Sequence, residues 1–523
     1  ENTTYLFSIN HVDQDGILIN SDYKRYQLRA NLNSRINDNV NVGLRLYGIR
    51  EQINPQSFNS SIGSPVTDAM HFPATFQSVY DDQGDYIQSS DPQLWNPVAS
   101  ALSLTNNNAV NTFNANAFVE FKFSETLKLR LSGGTSYLAE NRYQFRSTDN
   151  RNAFAAGGRA SIFNRESVGW INTNNLTYTK DINDTDNLTA TLVYEQQELG
   201  PVKSNGFGSQ NFITQSLGYY GVSLAETVQG QFVSPIQKRS IQSFLGRVNY
   251  SLKDKILFTV SGRYDGSSVL SSGNKWAFFP SAAVAWKLKK EKFLEDVDVF
   301  SDLKVRVSYG EVGSQGVAVN SSKTTLNVGQ NYSFDGSSAS VGVGVGNIGD
   351  PNLRWEKTKQ YDIGLDASFL NGRISVAADY YHKNTNDLLL RVSVPFITGL
   401  PTGNAPPTVL KNLGELENSG FELSIGAKAF DYDNFKWDLG LNLATNKSKV
   451  LDLGDEDQIL GGVFGGSSLP PLFVIEKGQP LGNIRGLIYD GVWKTSEAAE
   501  AAAFGNVPGA VSYTHLRAHE TRH

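Results

Sequence analysis

The chain has 523 residues, of which 39% are hydrophobic and 19% are charged, and its formal net charge is −6. This composition argues against wholesale disorder, the charge gives no basic surface for nucleic acid, and the absence of cysteine excludes disulfides and thiolate metal sites. No stretch reaches the ~18 consecutive apolar residues of a membrane helix, although a β-barrel crosses a membrane with half-apolar strands of about 10 residues.

The main pattern along the chain is an alternation of apolar and polar residues with period two, which predicts β-strands with one apolar face. Neighbouring alternating runs, separated by a few turn-forming residues, are typical of antiparallel hairpins. Asn371-Gly372 is the strongest of these turn signals. Five such pairs follow in chain order, at residues 26–32 and 40–46, 113–123 and 127–131, 244–252 and 256–262, 361–369 and 374–380, and 421–427 and 435–443.

Long polar connections separate these hairpins, so that short and long links alternate along the chain. A compact soluble domain rarely contains several loops of more than about 15 residues, whereas an outer-membrane barrel has short periplasmic turns and long extracellular loops. The predicted fold class is therefore all-β, a partial antiparallel transmembrane β-barrel with about fifteen or more strands between Thr3 and Thr445. The long connections cover roughly residues 50–112, 138–169, 196–241, 311–359 and 383–419.

Two features of the strands bear on the membrane interpretation, for which the alternative is a large soluble β-protein with one wet face. Alternation predicts that Leu127, Leu129, Leu131, Phe258 and Val260 face lipid while Lys128, Arg130, Thr259 and Ser261 face the lumen. Aromatic residues near strand ends favour the headgroup layer, or are ordinary core residues. They are Trp95, Trp170, Tyr264, Trp276, Trp286, Tyr309, Trp355, Tyr380, Tyr381 and Trp437.

Little helix is expected outside residues 495–504, where Ser496-Glu497 precedes an alanine-rich run. The run at residues 344–349 spells GxGxxG, but Asp350-Pro351 prevents the helix that a dinucleotide site needs, and we interpret this run as a flexible loop. The histidines have no convincing nucleophile as a partner, so the sequence predicts no enzyme, catalytic residue or cofactor.

Candidate substrate-binding residues lie in the long segment 59–104, which we expect to be an extracellular loop. Aromatic faces stack on sugars or peptide side chains, and carboxylates accept hydrogen bonds from hydroxyl or amide groups. The alternative is that these residues only pack the loop on itself, and the pattern does not separate glycan from peptide. Residues 81–85 fit a hairpin turn better than a calcium loop, so no metal site is predicted. The candidates are His71, Tyr80, Asp82, Asp85, Tyr86 and Trp95.

Several ordered motifs resemble the SusC/RagA family of TonB-dependent transporters of the Bacteroidetes outer membrane, and the resemblance extends from about Tyr5 to Ala510. Their number and their order make the resemblance specific. The motifs include Gly262-Arg263-Tyr264-Asp265-Gly266-Ser267-Ser268, Lys275-Trp276, Phe278-Phe279-Pro280-Ser281, Asn352-Leu353-Arg354-Trp355-Glu356-Lys357-Thr358, Glu417-Asn418-Ser419-Gly420-Phe421-Glu422 and Gly478-Gln479-Pro480-Leu481-Gly482.

The resemblance implies part of a barrel of about 22 strands whose lumen a plug fills. It implies outer-membrane import of oligosaccharides or oligopeptides with a SusD-like lipoprotein, energised by TonB-ExbB-ExbD through an N-terminal region. A passive porin or a surface-recognition barrel without energy coupling is the alternative, and no nucleic-acid partner is expected.

Two departures from the family pattern concern the ends of the chain. The signal peptide, TonB box and plug of the family are expected before residue 1. At the other end, residues 511–523 show no strand pattern and resemble a sequencing-adapter read-through peptide. We therefore expect residues 1–510 to form the partial barrel domain and 511–523 to be a non-native tail.

Overall fold

The computed structural model describes residues 2–56, 63–76, 78–89, 91, 94–234, 236–328, 332–333, 336, 340–400, 407–461, 472–503 and 505–519. The chain divides into two compact units. The first comprises Glu1–Tyr178 and Leu192–Ser243, and the second comprises Thr179–Thr191 and Phe244–His523. None of the helices in the described ranges is long and apolar enough to cross a membrane.

The first unit consists mainly of long antiparallel strands. They are β1 (Thr3–Asp15), β2 (Asp22–Asn37), β3 (Val40–Asn54), β4 (Leu104–Lys122), β5 (Leu127–Arg146), β6 (Arg159–Asp181), β7 (Asn187–Phe212) and β8 (Ala225–Val233), while β9 (Gln237–Leu252), like β6 and β7, has residues in both units. Strands β1 to β7 are neighbours in chain order, and β8 pairs with β7. The two hairpins predicted here, β2 with β3 and β4 with β5, are confirmed.

Three short helices lie in the connections of the first unit: α1 (Pro65–His71), α2 (Pro97–Leu102) and α3 (Arg151–Phe154). Proline occupies the first turn of α1 and α2, where its missing N–H costs no hydrogen bond. Asn96 and Asn150 cap α2 and α3 through their side-chain oxygens. The expectation of little helix is confirmed for the described residues, and these capped single turns were not placed individually because they leave no long periodic pattern in the sequence.

The second unit continues the same antiparallel design. Its strands are β10 (Ile256–Ser267), β11 (Trp276–Lys287), β12 (Phe300–Ser314), β13 (Thr325–Val328), β14 (Val343–Asn347), β15 (Glu356–Phe369), β16 (Ile374–Ser393), β17 (Thr408–Tyr432), β18 (Phe435–Asp452), β19 (Gln458–Gly461), β20 (Phe473–Glu476), β21 (Asn483–Val492) and β22 (Val511–His519). Its helices are α4 (Lys292–Glu295) and α5 (Ala498–Ala503). The main sheet runs β9-β10-β11-β12-β15-β16-β17-β18. Strands β13 and β14 form a separate pair, and β19 to β22 form a four-stranded sheet.

The three remaining hairpin predictions and the alanine-rich helix are confirmed in this unit. At the Asn371-Gly372 turn both residues have positive φ, 55° and 79°, which these two residue types tolerate best. Glu497 accepts a hydrogen bond from the Lys494 amide at 2.9 Å, and a single 3₁₀ turn at Thr495–Glu497 leads into α5.

Two expectations about irregular segments are wrong. Residues 511–519, expected to lack strand structure, form β22 and pair with β21. Residues 344–347 of the GxGxxG run belong to β14, which pairs with β13, so this part of the run is a strand rather than a flexible loop. Backbone pairing needs no apolar alternation, and this explains why neither strand was visible in the pattern.

Most strands extend well beyond the alternating runs, so the long connections are shorter than expected. Strand β4 begins at Leu104 rather than near residue 112, and only twelve residues, 147–158, separate β5 from β6. Above a bilayer both faces of a strand meet water, so the backbone ladder continues after the apolar alternation has ended.

The apolar faces of the strands are exposed on the protein surface. Val260 is 59% exposed, Ile363 57% and Leu443 53%, whereas their neighbours in sequence carry polar groups. Thr259 donates to Asn249 Oδ1 at 2.9 Å, and Ser261 and Ser281 share a hydrogen bond of 2.6 Å. The predicted alternation is confirmed for Phe258 to Ser261 on β10. Extended apolar strand faces of this kind are typical of contact with lipid.

The glycines of the motif at residues 262–268 are explained by the next strand. A Cβ at Gly262 would come within 2.7 Å of the Phe278 ring, and one at Gly266 within 2.6 Å of the Trp276 ring. The Trp276 ring also stacks on Tyr264, with 4.9 Å between centroids. The two glycines therefore make room for an aromatic cluster on the apolar face of β10 and β11, which is a packing role.

Candidate functional site

The buried core of each unit lies near the strand ends that carry the long connections. In the first unit, the described residues within 63–103 and 147–158 form what we call the first loop block. Asp68, only 2% exposed, connects its parts, because it accepts hydrogen bonds from the Gly63 amide at 2.8 Å and from the Ser100 hydroxyl. A buried carboxylate with two donors fixes α1 against α2.

The candidate residues Tyr80 and Tyr86 come together across a tight turn in this block. Their rings lie 5.0 Å apart and their backbones form an antiparallel bridge. The carboxylate of Asp81 accepts from the amides of Gln83 and Asp85 at 3.0 and 2.9 Å, which closes the turn. Residues 81–85 therefore form the hairpin turn that we preferred to a calcium loop.

The turn presents polar groups to solvent. Asp82 and Asp85 are exposed, and Tyr80 is 43% exposed. Partial burial and the adjacent hydroxyl of Tyr80 raise the pKa of Tyr86 to about 12. Its phenol is therefore protonated at neutral pH and can donate a hydrogen bond, while both carboxylates accept.

Asn96 joins this hairpin to α2 and was not among the predicted candidates. It is 1% exposed, and its Nδ2 donates to the carbonyls of Val79 and Ile87 at 3.1 and 3.0 Å. Its Oδ1 accepts from the amides of Val98 and Ala99 at the start of the helix. An Asn-Pro pair before a helical run predicts the cap, but no local signal predicts the two contacts with the hairpin.

Trp95 and His71 occupy different surroundings from the hairpin residues. Trp95 is 8% exposed, its Nε1 donates to the Asp149 carbonyl at 2.6 Å, and its ring lies 5.6 Å from that of Phe154. Of the two alternatives for Trp95, headgroup layer or ordinary core residue, the structure shows the second, because its ring packs inside the loop block. His71 ends α1, where its Nδ1 lies 2.7 Å from the Thr67 carbonyl.

We predict that Asn96→Ala loosens the hairpin without unfolding the strands. The substitution removes a helix cap and the two hydrogen bonds that Asn96 donates to the hairpin carbonyls of Val79 and Ile87, a combined cost of about 2–3 kcal/mol. Hydrogen exchange measured by mass spectrometry should be at least about tenfold faster in residues 79–88.

Asn96→Ser is the matched control for this prediction, since the serine hydroxyl can still cap the helix while the two bonds donated to the hairpin are lost. It should give an intermediate exchange rate. Unchanged exchange in both variants would show that Asn96 does not hold the hairpin.

The second unit has a loop core of its own, which contains the motif at residues 352–358. Leu353 is fully buried and Trp355 is 5% exposed, so Trp355, like Trp95, is an ordinary core residue rather than a headgroup-layer residue. Asn412 joins the motif to β17. Its Nδ2 donates to the carbonyls of Arg354 and Asp387 at 3.0 and 2.7 Å, and its Oδ1 accepts from the Arg354 amide. This motif is therefore structural.

This chain is similar to known proteins in family, sequence and structure. The family described as TonB dependent receptor-like, beta-barrel matches residues 59–474. TonB-dependent receptor P26 of Formosa agariphila is 33% identical over 513 residues, which cover 96% of this chain and 50% of that protein. TonB-dependent receptor SusC of Bacteroides thetaiotaomicron is 30% identical over 491 residues, which cover 87% of this chain and 46% of SusC.

A similar fold occurs in solved structures of the RagAB peptide transporter. One of these structures superposes with a TM-score of 0.78 at 23% identity, over 94% of this chain and 53% of that one. The chain spans about half the length of the curated relatives that it matches. The resemblance inferred from the motifs is confirmed, together with the all-β barrel fold and the outer-membrane location that the family implies. The chain belongs to the TonB-dependent receptor β-barrel family.

Proposed function

We propose that this chain supplies part of the barrel of an energised outer-membrane importer. The solute is an oligosaccharide or oligopeptide, a SusD-like lipoprotein closes over the long loops, and TonB with ExbB-ExbD drives uptake. The observation that carries the proposal is the family match over residues 59–474, which is supported by relatives that are themselves TonB-dependent receptors. No catalytic step is part of it.

The polar faces of the strands support passage of a hydrophilic solute. On β12, Arg306 makes two hydrogen bonds of 2.9 and 3.0 Å to Asp366 and an ion pair of 3.0 Å with Asp379 on β16. Lys304 adds a contact of 2.8 Å to Asp366. Paired charges of this kind keep a wall hydrophilic without a large unbalanced field.

The hairpin of the first loop block is the proposed place of first contact with solute. Tyr80 and Tyr86 offer ring faces, and Asp82 and Asp85 offer acceptors. His71, exposed at the end of α1 and outside the hairpin, remains a separate candidate of the same block. This set matches the chemistry of hydroxyl-rich or amide-rich solutes. Trp95 would act by holding the block together, since its ring is buried.

Uptake measured with and without energy coupling tests the proposal. The complete gene is expressed in its host, and accumulation of fluorescently labelled oligosaccharide and oligopeptide pools is compared between the wild type, a tonB deletion and a deletion of this gene. We expect both deletions to abolish accumulation of the same solutes. Accumulation that needs this gene and persists without TonB would identify a passive porin. Surface binding without accumulation would identify a recognition barrel.

A further inference from the structure

A small polar cavity lies at the loop ends of β5, β6 and β7, within the first unit. Its volume is 170 Å³, which is close to the roughly 150 Å³ that accommodates a benzene ring in an engineered protein. It can therefore hold one acidic substituent with part of a sugar ring. Five polar residues line the cavity, namely Gln144, Arg146, Arg159, Ser161 and Ser209.

Two arginines stand opposite each other in this cavity. Arg146 on β5 pairs in register with Arg159 on β6, and directly opposed residues of an antiparallel pair have Cβ atoms about 4.5–5.5 Å apart. Like charges in that position repel. The Arg146 guanidinium donates to Gln144 Oε1 at 3.0 Å, a neutral acceptor. Neither arginine forms an ion pair with a carboxylate of the described ranges, whereas the nearby Arg142 pairs with Glu140 at 2.7 Å.

A buried hydroxyl in the same cavity has no hydrogen-bond partner. Ser209 on β7 is 1% exposed, and its Oγ makes no hydrogen bond to the described residues. Buried hydroxyls are nearly always satisfied, because an unmade hydrogen bond costs the full desolvation of the group. Two uncompensated guanidinium groups and one free hydroxyl donor therefore converge on one small space.

The cavity opens on the polar face of the sheet. Arg146 and Gln144 are separated from Arg130 by even numbers of residues along β5, and the pairing of β5 with β6 shows no register shift. Alternation therefore places all three side chains on the same face. Arg130 is one of the residues predicted to face the lumen, so the cavity lies on the side from which a solute would reach it.

We propose that this cavity binds an oxyanion, a carboxylate or sulfate group, of an acidic oligosaccharide. Guanidinium forks recognise such groups through paired, charge-assisted hydrogen bonds, and Ser209 supplies a further donor. An oligosaccharide fits better than a peptide, because the side chains on the face of the cavity are amide, hydroxyl and guanidinium groups, while Ala160 pairs with Phe145 and packs in the apolar cluster of the opposite face. The inference rests on the proposed function and narrows its solute class.

Equilibrium binding to the purified receptor tests this proposal without any need for energy coupling. The receptor is expressed from its complete gene and purified in detergent. Calorimetry at low salt then compares two acidic oligosaccharides, trigalacturonate and a sulfated carrageenan oligosaccharide, with neutral maltotriose and with the acidic peptide triglutamate. We expect at least one acidic oligosaccharide to bind, maltotriose not to bind, and Arg146→Gln or Arg159→Gln to weaken binding at least about tenfold. Added salt should weaken it as well.

The control is Arg142→Gln, which removes a guanidinium of the same strand and face that already has a carboxylate partner. It should change affinity less than about twofold. Heat-modifiable migration must be the same in all variants, so that a folding defect is recognised.

Three results would overturn the assignment: binding that is unaffected by both arginine substitutions, equal binding of maltotriose, or arginine-dependent binding of triglutamate alone. If the binding experiment fails in this way while uptake still depends on TonB, this inference is overturned and the proposed function stands.

Discussion

Replacing Leu441 with arginine should destabilise the barrel by about 2–4 kcal/mol, the cost of a charge facing lipid near the bilayer midplane. Leu441 lies on the apolar face of β18 and is 49% exposed. An aromatic cluster marks the nearby headgroup level at the short turn before β18, where the Phe430 and Trp437 rings stack 5.9 Å apart. Four residues at about 3.3 Å place Leu441 some 13 Å further along the strand, which is about 10 Å of depth at a strand tilt of about 40° and lies near the middle of an apolar band about 25 Å tall.

Asn442→Arg is the matched control, because Asn442 lies one residue away on the opposite, polar face of β18 and at almost the same depth. It should cost less than about 0.5 kcal/mol, as surface substitutions usually do. Both variants are measured by guanidinium unfolding of the receptor, expressed from its complete gene and reconstituted in phospholipid vesicles. Equal losses of stability would mean that the two faces of β18 do not differ in their contact with lipid.

The hairpins could be predicted from the sequence because the bilayer imposes the pattern. Where a strand crosses the hydrocarbon region between the two headgroup layers, one of its faces must be apolar. Alternation is therefore strict in runs such as residues 127–131 and 435–443. Outside the bilayer that constraint ends. The start of β4, Leu104-Thr105-Asn106-Asn107-Asn108, is paired throughout with β5, yet its polar composition resembles that of a loop.

The loop blocks could be predicted only in part, since local and distant contacts leave different traces in a sequence. The turn at residues 81–85 is local, and its Asp and Gly residues predicted it. Asn96 and Asn412 act across 9 to 58 positions of chain, and a single asparagine gives no sign of such partners. Arg146 and Arg159 are paired because of the register of β5 with β6. They are the residues on either side of the loop 147–158, so the pair could have been predicted if the bounds of that loop had been placed correctly.

The family motifs could be recognised in the sequence, but only the structure shows what their residues contact. Gly262 and Gly266 provide space for aromatic rings, and residues 352–358 fix the loop core of the second unit through Leu353, Trp355 and backbone bonds to Asn412. These motifs identify the barrel because its architecture needs them. The side chains that we propose as solute contacts lie elsewhere, on the hairpin at residues 80–86 and beside Arg146, where the barrel architecture makes no such demand.

Trp355→Ala should produce the largest loss in the loops of the second unit, about 3–5 kcal/mol. Trp355 packs edge-to-face on Phe279, with 5.6 Å between centroids, and its Nε1 donates to the Lys275 carbonyl at 2.8 Å. Its neighbours cannot close the space, because Phe279 already rests on Gly313, where a Cβ would come within 2.1 Å of the ring. The truncation therefore leaves a cavity rather than a collapsed core.

Limited proteolysis combined with guanidinium unfolding measures this effect, because the loop core should open before the membrane strands do. We expect new cleavage between residues 315 and 355 in Trp355→Ala, with heat-modifiable migration retained. Trp355→Phe keeps most of the apolar contact and loses one hydrogen bond, so it should cost about 1–2 kcal/mol and stay resistant to protease. If Trp355→Ala is as resistant as the wild type, the loop core is held by the Asn412 contacts with the motif backbone and not by the indole ring.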